Sequence, residues 1–315
     1  MKAIQIESFG GPDVMKYVEL PDPVAGKDEV LLDVTAVGIN YADTHQTENS
    51  YLSPQTLPMV PGIEVVGTFN GKRYLASVSS GGYAQKAVAH SSVMFPIPDS
   101  VTDEQALCML VQGSTAWHLL KTMGNLQKGQ SVVVHAAAGG VGTIAIQLAK
   151  LWGAKVIAVT SSGAKNELAK LLGADEVVDA NAADLKGAIR QANGGRGVDL
   201  ILEMVGGTTF DQSLESLTNF GKIITFGMAS RTAPQPVHPG ALMHGSKTIS
   251  GFWLANCFGS KEMMNDVIAE LFALIADGKL KPVIGATYPL SQAADAHKAM
   301  LARQTTGKIA LNPAL

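Results

Sequence analysis

The sequence contains only two cysteines, Cys108 and Cys257, among its 315 residues. They lie far apart and neither belongs to a C-x-x-C motif, so they form neither a disulfide framework nor a cysteine-based structural zinc site. The seven histidines are scattered along the chain, and no H-E-x-x-H motif occurs. We therefore expect two buried thiols that pack as small hydrophobic side chains.

Charged side chains are also scarce, at 16% of the sequence, where roughly a quarter is usual. The net charge of -3 leaves no basic stripe for nucleic acid, and no acidic tail is present. The 33 glycines favour a compact α/β enzyme over a disordered or coiled chain. Its first residues, MKAIQIESFGG, carry an acid and glycines where a signal peptide has an apolar segment, so we expect a cytoplasmic protein with a small-molecule partner.

One stretch, SVVVHAAAGGVGTIAIQLA, has no ionised residue over positions 131–149. Its length would allow a membrane span, but its glycines, its threonine and the central His135 argue against one. The β-branched run Val132–Val134 indicates a strand, and the spacing of Ile144, Ile146 and Leu148 indicates a helix. The stretch therefore predicts a strand, a glycine turn and a helix.

The segments on either side of this stretch differ in pattern. Before about Met109, short strand-like runs alternate with PDP, PGIE, NGK and SGG, which predicts a β-rich domain. Thr102 and Gln105 have the spacing of a capping box, so a short helix should follow them. After Ser131, buried runs alternate with helices, which predicts α/β structure with a doubly wound parallel sheet of the Rossmann type.

The last stretch, from about Lys279, has the pattern of a helix and a strand that rejoin the β-rich domain. We therefore expect a discontinuous β-rich domain of residues 1–112 and 279–315, with the nucleotide-binding domain, 113–278, inserted into it. The apolar segment TISGFWL should end the parallel sheet. Because an unpaired apolar edge is a liability, this segment predicts a homodimer in which two such edges pair.

The glycine turn has the composition of a dinucleotide-binding loop. Small residues there let a pyrophosphate approach the backbone at a helix N-terminus, where N–H groups and the helix dipole favour anions. A flavin, an adenosylmethionine or a purely structural role would use a similar turn. The residues that would surround the pyrophosphate are Ala137, Gly139, Gly140, Val141 and Gly142.

The end of the next strand indicates which dinucleotide is bound. An enzyme that uses NAD has an acid there for the ribose 2′-hydroxyl, but this sequence reads TSSGAK. Ser161, Ser162 and Lys165 offer hydroxyls and a cation to a 2′-phosphate, so we expect NADPH (the NADP cofactor). The alternative is that Ser162 only caps the following helix and Lys165 is solvated.

Several longer motifs resemble those of one family. They are VGINYAD, PGIEVVG, GGYAQ, QGSTAW, HAAAGGVGTIAIQLAK, ITFGMAS and TTGKIAL. They are spread over essentially the whole chain and resemble the zinc-independent, zeta-crystallin-like quinone oxidoreductases of the medium-chain dehydrogenase/reductase superfamily. The resemblance implies a GroES-like catalytic domain, a Rossmann domain and an active site in the cleft between them.

The same comparison implies that no metal takes part. Zinc-dependent members of the superfamily carry cysteine where VGIN has Asn40 and histidine where PGIE has Ile63, and only Glu64 remains. One carboxylate does not make a three-ligand zinc site. Without a Lewis acid, a simple alcohol or ketone is a poor substrate, whereas quinones and α,β-unsaturated carbonyls already delocalise the charge that arrives with hydride.

The resemblance also implies catalytic residues. Asn40 should face the nicotinamide ribose or the substrate carbonyl, unless it is a turn asparagine that bonds its own backbone. Tyr51 matches the proton donor of related enoyl reductases, and a tyrosine that only packs on the substrate is the alternative. His45 lies where many quinone reductases have tyrosine, which leaves its role open.

Further residues are implied around the cofactor. Those lining its nicotinamide half are Thr115, Val205, Phe226, Gly227, Trp253 and Leu254. Ala180 stands where some relatives have a tyrosine near the adenosine. Arg303 and Lys308 would help to balance phosphate charge, unless they are solvated surface cations.

These inferences predict an NADPH-dependent, metal-free reductase that transfers hydride to quinones or similar activated carbonyl acceptors. A 2-alkenal or enoyl-thioester double-bond reductase is the alternative enzyme. A crystallin-like protein that binds NADPH without catalysis is the alternative outside enzymes.

Overall fold

The computed structural model describes residues 1–161 and 163–315, which fold into two units. The β-rich unit comprises Met1–Gln112, Cys257–Gly278 and Pro282–Leu315. The parallel-sheet unit comprises Gly113–Asn256 and Lys279–Lys281.

The parallel-sheet unit contains six strands and six helices among its described residues. The strands are β8 (Ser131–Val134), β9 (Lys155–Thr160), β10 (Glu176–Asp179), β11 (Val198–Glu203), β12 (Leu217–Thr225) and β13 (Thr248–Gly251). The helices are α3 (Ser114–His118), α4 (Gly140–Leu151), α5 (Gly163–Leu171), α6 (Leu185–Ala192), α7 (Gly207–Ser216) and α8 (Pro239–Met243).

All pairings in this sheet are parallel, and the strand order is β10-β9-β8-β11-β12-β13. The strands are apolar because both faces are covered: Val133, Ile157, Ile201 and Ile223 are fully buried. The order reverses between β8 and β11, as in a doubly wound dinucleotide-binding fold. The predicted Rossmann architecture is confirmed, and so is the strand, turn and helix predicted over 131–149.

The β-rich unit is built on a seven-stranded sheet of order β14-β15-β3-β4-β5-β7, in which β6 also pairs with β3. A second sheet pairs β1 with β2. The strands are β1 (Lys2–Gln5), β2 (Lys16–Glu19), β3 (Glu29–Ile39), β4 (Glu64–Phe69), β5 (Lys72–Ser77), β6 (Lys86–His90), β7 (Met94–Pro96), β14 (Ile284–Pro289) and β15 (Lys308–Asn312). The helices are α1 (Tyr41–Thr47), α2 (Asp103–Leu107), α9 (Asp266–Ala276) and α10 (Ala293–Leu301).

Short 3₁₀ or π-helical turns supplement these elements. They cover Pro12–Val14, Ser91–Val93, Met109–Gly113, Leu119–Met123, Leu254–Cys257, Lys261–Asn265 and Leu290–Gln292. None of the described helices has the length and hydropathy that a membrane span requires.

Two local predictions for the β-rich unit are confirmed. Thr102 Oγ1 accepts a hydrogen bond from Gln105 N at 3.2 Å, and Gln105 Oε1 accepts one from Thr102 N at 3.0 Å, which closes the capping box of α2. The C-terminal strand β15 pairs antiparallel with β3 and so joins the sheet of this unit, as the sequence pattern predicts.

Cys108 and Cys257 are free and buried, as expected.

The grouping of Cys257–Gly278 differs from the sequence-based boundary. These residues pack with the β-rich unit, whereas the sequence pattern assigns 113–278 to the Rossmann domain. The segment contains α9, which follows the last parallel strand and buries Val267, Leu271 and Phe272. An apolar helix after a parallel strand has the pattern of one more helix covering that sheet, so the sequence carries no local signal for the boundary.

Candidate active site

The predicted cofactor residues of the parallel-sheet unit collect at one edge of its sheet. Every predicted cofactor residue that the structure describes, except Thr115, follows the carboxyl end of a strand. Five residues follow β8 (Ala137, Gly139, Gly140, Val141 and Gly142), and two follow β9 (Ser161 and Lys165). The others follow β11 (Val205), β12 (Phe226 and Gly227) and β13 (Trp253 and Leu254). Parallel strands end at the same edge, and ligands of open α/β sheets bind there. Thr115 lies instead in α3, which packs against α4, and is 7% exposed.

The glycine turn presents a helix N-terminus at this edge. Gly139 caps α4, and the first hydrogen bond of the helix runs from Thr143 N to Gly139 O at 2.9 Å. The N–H groups of Gly140, Val141 and Gly142 precede this bond and have no acceptor within the helix. Together with the helix dipole, these N–H groups offer the kind of environment that favours an anion such as a pyrophosphate.

Gly142 is required for the close approach of strand and helix in this turn. A Cβ atom at this position would lie 2.5 Å from Ala136 O and 2.7 Å from Ala137 Cα, which are backbone atoms that cannot move aside cheaply. Ala137 itself is fully buried, and its N–H donates to Val159 O at 3.2 Å. Ala137, which stands where the usual fingerprint has its first glycine, therefore joins the turn to β9.

The segment after β9 has no carboxylate in its TSSGAK stretch. Ser161 is half-buried at the strand end, and Lys165 is half-buried in the first turn of α5. Ser162, the third residue predicted to contact a 2′-phosphate, lies outside the described residues. Ala180 follows β10, and its N–H donates to Thr160 O at 2.7 Å.

Glu203 fixes the turn that carries Val205, and the sequence pattern did not indicate this role. Its Oε1 accepts hydrogen bonds from Val205 N at 2.6 Å and from Gly206 N at 3.0 Å. Burial raises the pKa of this carboxyl, and backbone N–H bonds oppose that shift. Gly206 has a φ of +81°, a left-handed conformation that glycine adopts without strain. The only sign of this role in the sequence is an acidic residue at the end of a buried strand.

Asn40 takes part in a buried hydrogen-bonded ring in the β-rich unit. Its Nδ2 donates to Glu64 Oε1 at 2.8 Å, and its Oδ1 accepts from Lys308 Nζ at 3.1 Å. Lys308 Nζ also forms an ion pair with Glu64 Oε1, whose other oxygen accepts from Val111 N at 3.1 Å. The three side chains are 4%, 0% and 1% exposed for Asn40, Glu64 and Lys308, so none of these charges is solvated.

The position of Lys308 corrects both predictions made for it. It is neither a solvated cation nor available to balance phosphate charge, because its ammonium is buried against Glu64 and Asn40. An isolated lysine in a polar segment is usually solvated, and its partner Glu64 lies 244 positions away in sequence. Arg303, by contrast, is exposed and has a φ of +57°.

A second buried network begins three residues after Asn40. Asp43 Oδ2 accepts hydrogen bonds from Asn40 N at 2.9 Å and from Tyr83 Oη at 2.8 Å, and Tyr83 Oη lies 2.8 Å from His297 Nε2. Burial raises the pKa of Asp43 to about 7 and lowers the pKa of His297 to about 4. A neutral His297 and an Asp43 that titrates near neutrality follow from these shifts.

The two remaining predicted residues lie in or after α1. His45 is part of that helix, and its Nδ1 lies 3.0 Å from Ser50 Oγ. Tyr51 is half-buried in the loop that follows the helix. Asn40 caps the same helix, and its backbone N–H donates to Asp43 Oδ2, while its side chain also bonds to Glu64 and Lys308.

Comparisons with known families match both units. A family model described as "Zinc-binding dehydrogenase" matches residues 140–273, and one described as "Alcohol dehydrogenase GroES-like domain" matches residues 26–73. Among curated proteins, the chain is 32% identical over 327 residues to the quinone oxidoreductase of Mus musculus, with 99% of this chain and 97% of that protein covered. It is 30% identical over 341 residues to the synaptic vesicle membrane protein VAT-1 homolog of Homo sapiens, with 99% and 86% covered.

Solved structures show the same similarity. A mycobacterial protein complexed with NADPH is 37% identical, with a TM-score of 0.94, and 99% of this chain and 100% of that chain are covered. The quinone oxidoreductase of Escherichia coli complexed with NADPH is 29% identical, with a TM-score of 0.94 and the same coverage. Both similarities therefore include the two units described above.

The name of the first family model implies zinc, but the residues of this chain do not fit a zinc ion. Asn40 and Glu64 are both engaged by the Lys308 ammonium, which would repel a divalent cation, and Ile63 offers no ligand atom. Among residues 1–161 and 163–315, no group of three or more His, Cys, Asp or Glu side chains is arranged to hold a metal.

Proposed function

This chain belongs to the quinone oxidoreductase family of the medium-chain dehydrogenase/reductase superfamily, and on that premise we propose that it is an NADPH-dependent reductase of quinones or similar activated carbonyl acceptors. The glycine turn at the switch point of the parallel sheet carries this proposal, because it offers N–H groups and a helix N-terminus to a pyrophosphate. The two solved relatives complexed with NADPH support the same cofactor.

The bound cofactor would supply hydride from C4 of its nicotinamide. The residues of this chain hold and orient the reactants. The turn from Gly139 to Gly142 receives the pyrophosphate, and Ser161 and Lys165 receive the 2′-phosphate. The residues after β11, β12 and β13 (Val205, Phe226, Gly227, Trp253 and Leu254) receive the nicotinamide half.

The class of acceptor that the protein can reduce is limited because the β-rich unit lacks the zinc ligands of related dehydrogenases. Asn40 offers an amide N–H, and the zinc ligands of related dehydrogenases are absent at positions 40 and 63. An amide donor stabilises far less negative charge than a metal ion does. A quinone already delocalises the charge that hydride brings, so positioning it in a water-poor site is sufficient. Quinones and activated alkenes are therefore the acceptors that this site supports best.

The first test mixes the purified protein with NADPH and a small quinone. Oxidation of NADPH is measured as the loss of absorbance of the reduced nicotinamide. We expect turnover with NADPH and much slower turnover with NADH. A protein that binds NADPH but oxidises it with none of a panel of quinones and enals would instead be a binding protein of the crystallin type.

Tyr51→Phe separates the quinone hypothesis from the enal or enoyl-thioester hypothesis. Solvent can protonate the stabilised product anion of a quinone, so we expect this variant to keep most of its quinone activity. An enolate is more basic, and a positioned acid is worth about 10²- to 10⁴-fold there. Steady-state rates with one quinone and one enal, with the exposed-tyrosine variant Tyr17→Phe as control, decide the matter. A large loss with the enal alone would favour the double-bond reductase.

Lys165→Ala tests the choice of NADPH over NADH. Because only NADPH carries the 2′-phosphate, we expect the Michaelis constant for NADPH to rise about tenfold or more while that for NADH changes little. Lys170→Ala, on the same helix α5 and 57% exposed at its side chain, is the matched control. Equal changes for the two cofactors would exclude a 2′-phosphate contact at Lys165.

We also propose a homodimer formed through β13. This strand is at the edge of the parallel sheet, pairs only with β12 among the described strands, and carries the half-buried Ile249. Pairing with a second copy would cover this edge. Light scattering at micromolar concentration should give twice the chain mass, and a monomer mass would contradict the proposal.

The cytoplasmic location stays a prediction, which subcellular fractionation would test.

A further inference from the structure

We propose that Lys308 is a positioning residue, whose buried ammonium fixes the orientation of the Asn40 side-chain amide. The proposal rests on the proposed function, because it concerns the residue that would meet the nicotinamide ribose or the acceptor carbonyl. Lys308 lies in β15, and no other residue proposed for the site lies in that strand.

The register of three adjacent strands brings the three side chains together. Ile309 of β15 pairs with Ile39 of β3, and the same antiparallel register continued by one residue sets Lys308 opposite Asn40. On the other side of β3, Val37 pairs with Val65, and one step further the same register sets Glu64 opposite Gly38. Each of three distant segments therefore contributes one side chain to the ring: VGIN contributes Asn40, PGIE contributes Glu64 and TTGKIAL contributes Lys308.

Gly38 provides the space for this arrangement. A Cβ atom at position 38 would lie 2.6 Å from Glu64 Cγ, which is closer than side chains approach one another. Because that Cβ is absent, the Glu64 carboxylate lies across β3 and reaches both Asn40 and Lys308. Glycine is needed here for the close approach and not for an unusual backbone conformation.

The ring allows only one orientation of the Asn40 amide. In the observed orientation, Oδ1 faces the Lys308 ammonium and Nδ2 faces the Glu64 carboxylate. Rotating the amide by 180° would set two N–H donors against an ammonium, which has no acceptor, and an oxygen against a carboxylate. Both contacts would become repulsive in a buried site, where electrostatic interactions are strong.

The fixed orientation determines what Asn40 can offer to a bound molecule. One hydrogen of Nδ2 is donated to Glu64, and Oδ1 is engaged by Lys308, so the second Nδ2 hydrogen remains for a ligand. This single donor suits an oxygen acceptor, such as an acceptor carbonyl or a ribose hydroxyl. Without Lys308, only the bond to Glu64 would hold the amide, so its second Nδ2 hydrogen would no longer be held in line with the ligand oxygen.

Lys308→Met, which keeps most of the length of the side chain and removes its charge, tests the proposal. We expect kcat/KM with NADPH and a small quinone to fall about 10- to 100-fold, the range in which misplacing an oriented group lowers rates. In an Asn40→Ala background the same change should cost less than about twofold, because residues that act as one unit are not additive. Equal losses in both backgrounds would overturn the proposal. Lys298→Met, at an exposed lysine paired with Asp13, is the control.

The double variant Glu64→Gln/Lys308→Met separates positioning from folding. Lys308→Met alone leaves a buried carboxylate without its cation, so its melting temperature should fall. The double variant removes both charges and should recover most of that temperature while its activity stays low. Recovery of stability and activity together would show that Lys308 has only a structural role.

A measurement without cofactor or acceptor keeps this proposal distinct from the proposed function. In protein labelled with ¹⁵N-asparagine, the side-chain amide signal of Asn40 is the one that Asn40→Ala removes. We expect the Nδ2 protons to exchange slowly with solvent in the wild type and faster in Lys308→Met. An unchanged signal would overturn the positioning role even in an active enzyme. A changed signal in a protein that reduces no acceptor would leave the role standing and reject the proposed function.

Discussion

Gly142→Val should weaken NADPH binding by about 100-fold or more. The first side-chain carbon would already meet the backbone of Ala136 and Ala137 at 2.5–2.7 Å. Valine adds two further carbons, so α4 must move away from the end of β8. Overpacking of this kind destabilises the folded turn by about 1–3 kcal/mol or more. Relieving that strain moves the turn out of the geometry that binds the pyrophosphate, and a loss of about 2.7 kcal/mol in binding free energy is a factor of about 100 in affinity. The displaced N–H groups of the turn would also lose their alignment with the pyrophosphate.

Titration of NADPH fluorescence measures this effect, and circular dichroism reports whether the variant is folded. Gly11→Ala is the matched control, because no heavy atom lies within 4 Å of a Cβ placed there. Gly142→Ala should give an intermediate loss. Near-native affinity in both Gly142 variants would mean that the turn does not hold the pyrophosphate.

The stability of the wild type should fall as the pH rises from 5 to 8, relative to the stability of Asp43→Asn. Burial raises the pKa of Asp43 from its usual 3.8 to about 7, so the folded state binds a proton that the unfolded state has released. The stabilisation from protonated Asp43 is complete below the unfolded pKa and is lost as the pH rises through the folded pKa. At 1.36 kcal/mol per pH unit, the difference between the proteins should change by about 2–3 kcal/mol.

Urea unfolding at pH 5, 6, 7 and 8 measures this difference. The variant is needed as a reference because His135 and His297, whose pKa values burial lowers to about 4, have the opposite effect. Their neutral forms favour the folded state, so they add stability as the pH rises through 4 to 6.5. They are present in both proteins and cancel in the comparison. A difference that does not vary with pH would place the pKa of Asp43 near its usual value.

The fold of the parallel-sheet unit, including its glycine turn, could be predicted from the sequence because the signals are local. The run Val132–Val134, the small residues after it and the spacing of Ile144 and Leu148 lie within one strand, turn and helix. Periodicity and turn chemistry act over such distances. The capping box at Thr102 was predictable for the same reason.

The ring around Asn40 could not be predicted from the residues alone, because its members come from three distant segments. Asn40, Glu64 and Lys308 become neighbours only through the register of β15, β3 and β4. A single lysine in TTGKIAL has the local pattern of a solvated cation, and nothing nearby in sequence marks it as buried. The Asp43, Tyr83 and His297 network was missed for the same reason, since His297 comes from α10.

The central position of β15 has a consequence for synthesis of the chain. This strand lies between β14 and β3, and it is synthesised after all the other described strands. All strands of the parallel sheet, from β8 to β13, precede it, so that sheet can be completed while the β-rich sheet still lacks an interior strand. During that interval β3 exposes a hydrogen-bonding edge over Val37–Ile39, the segment that β15 later covers. Between synthesis of β13 and synthesis of β15, this open strand edge is a point at which the nascent protein could pair with another chain.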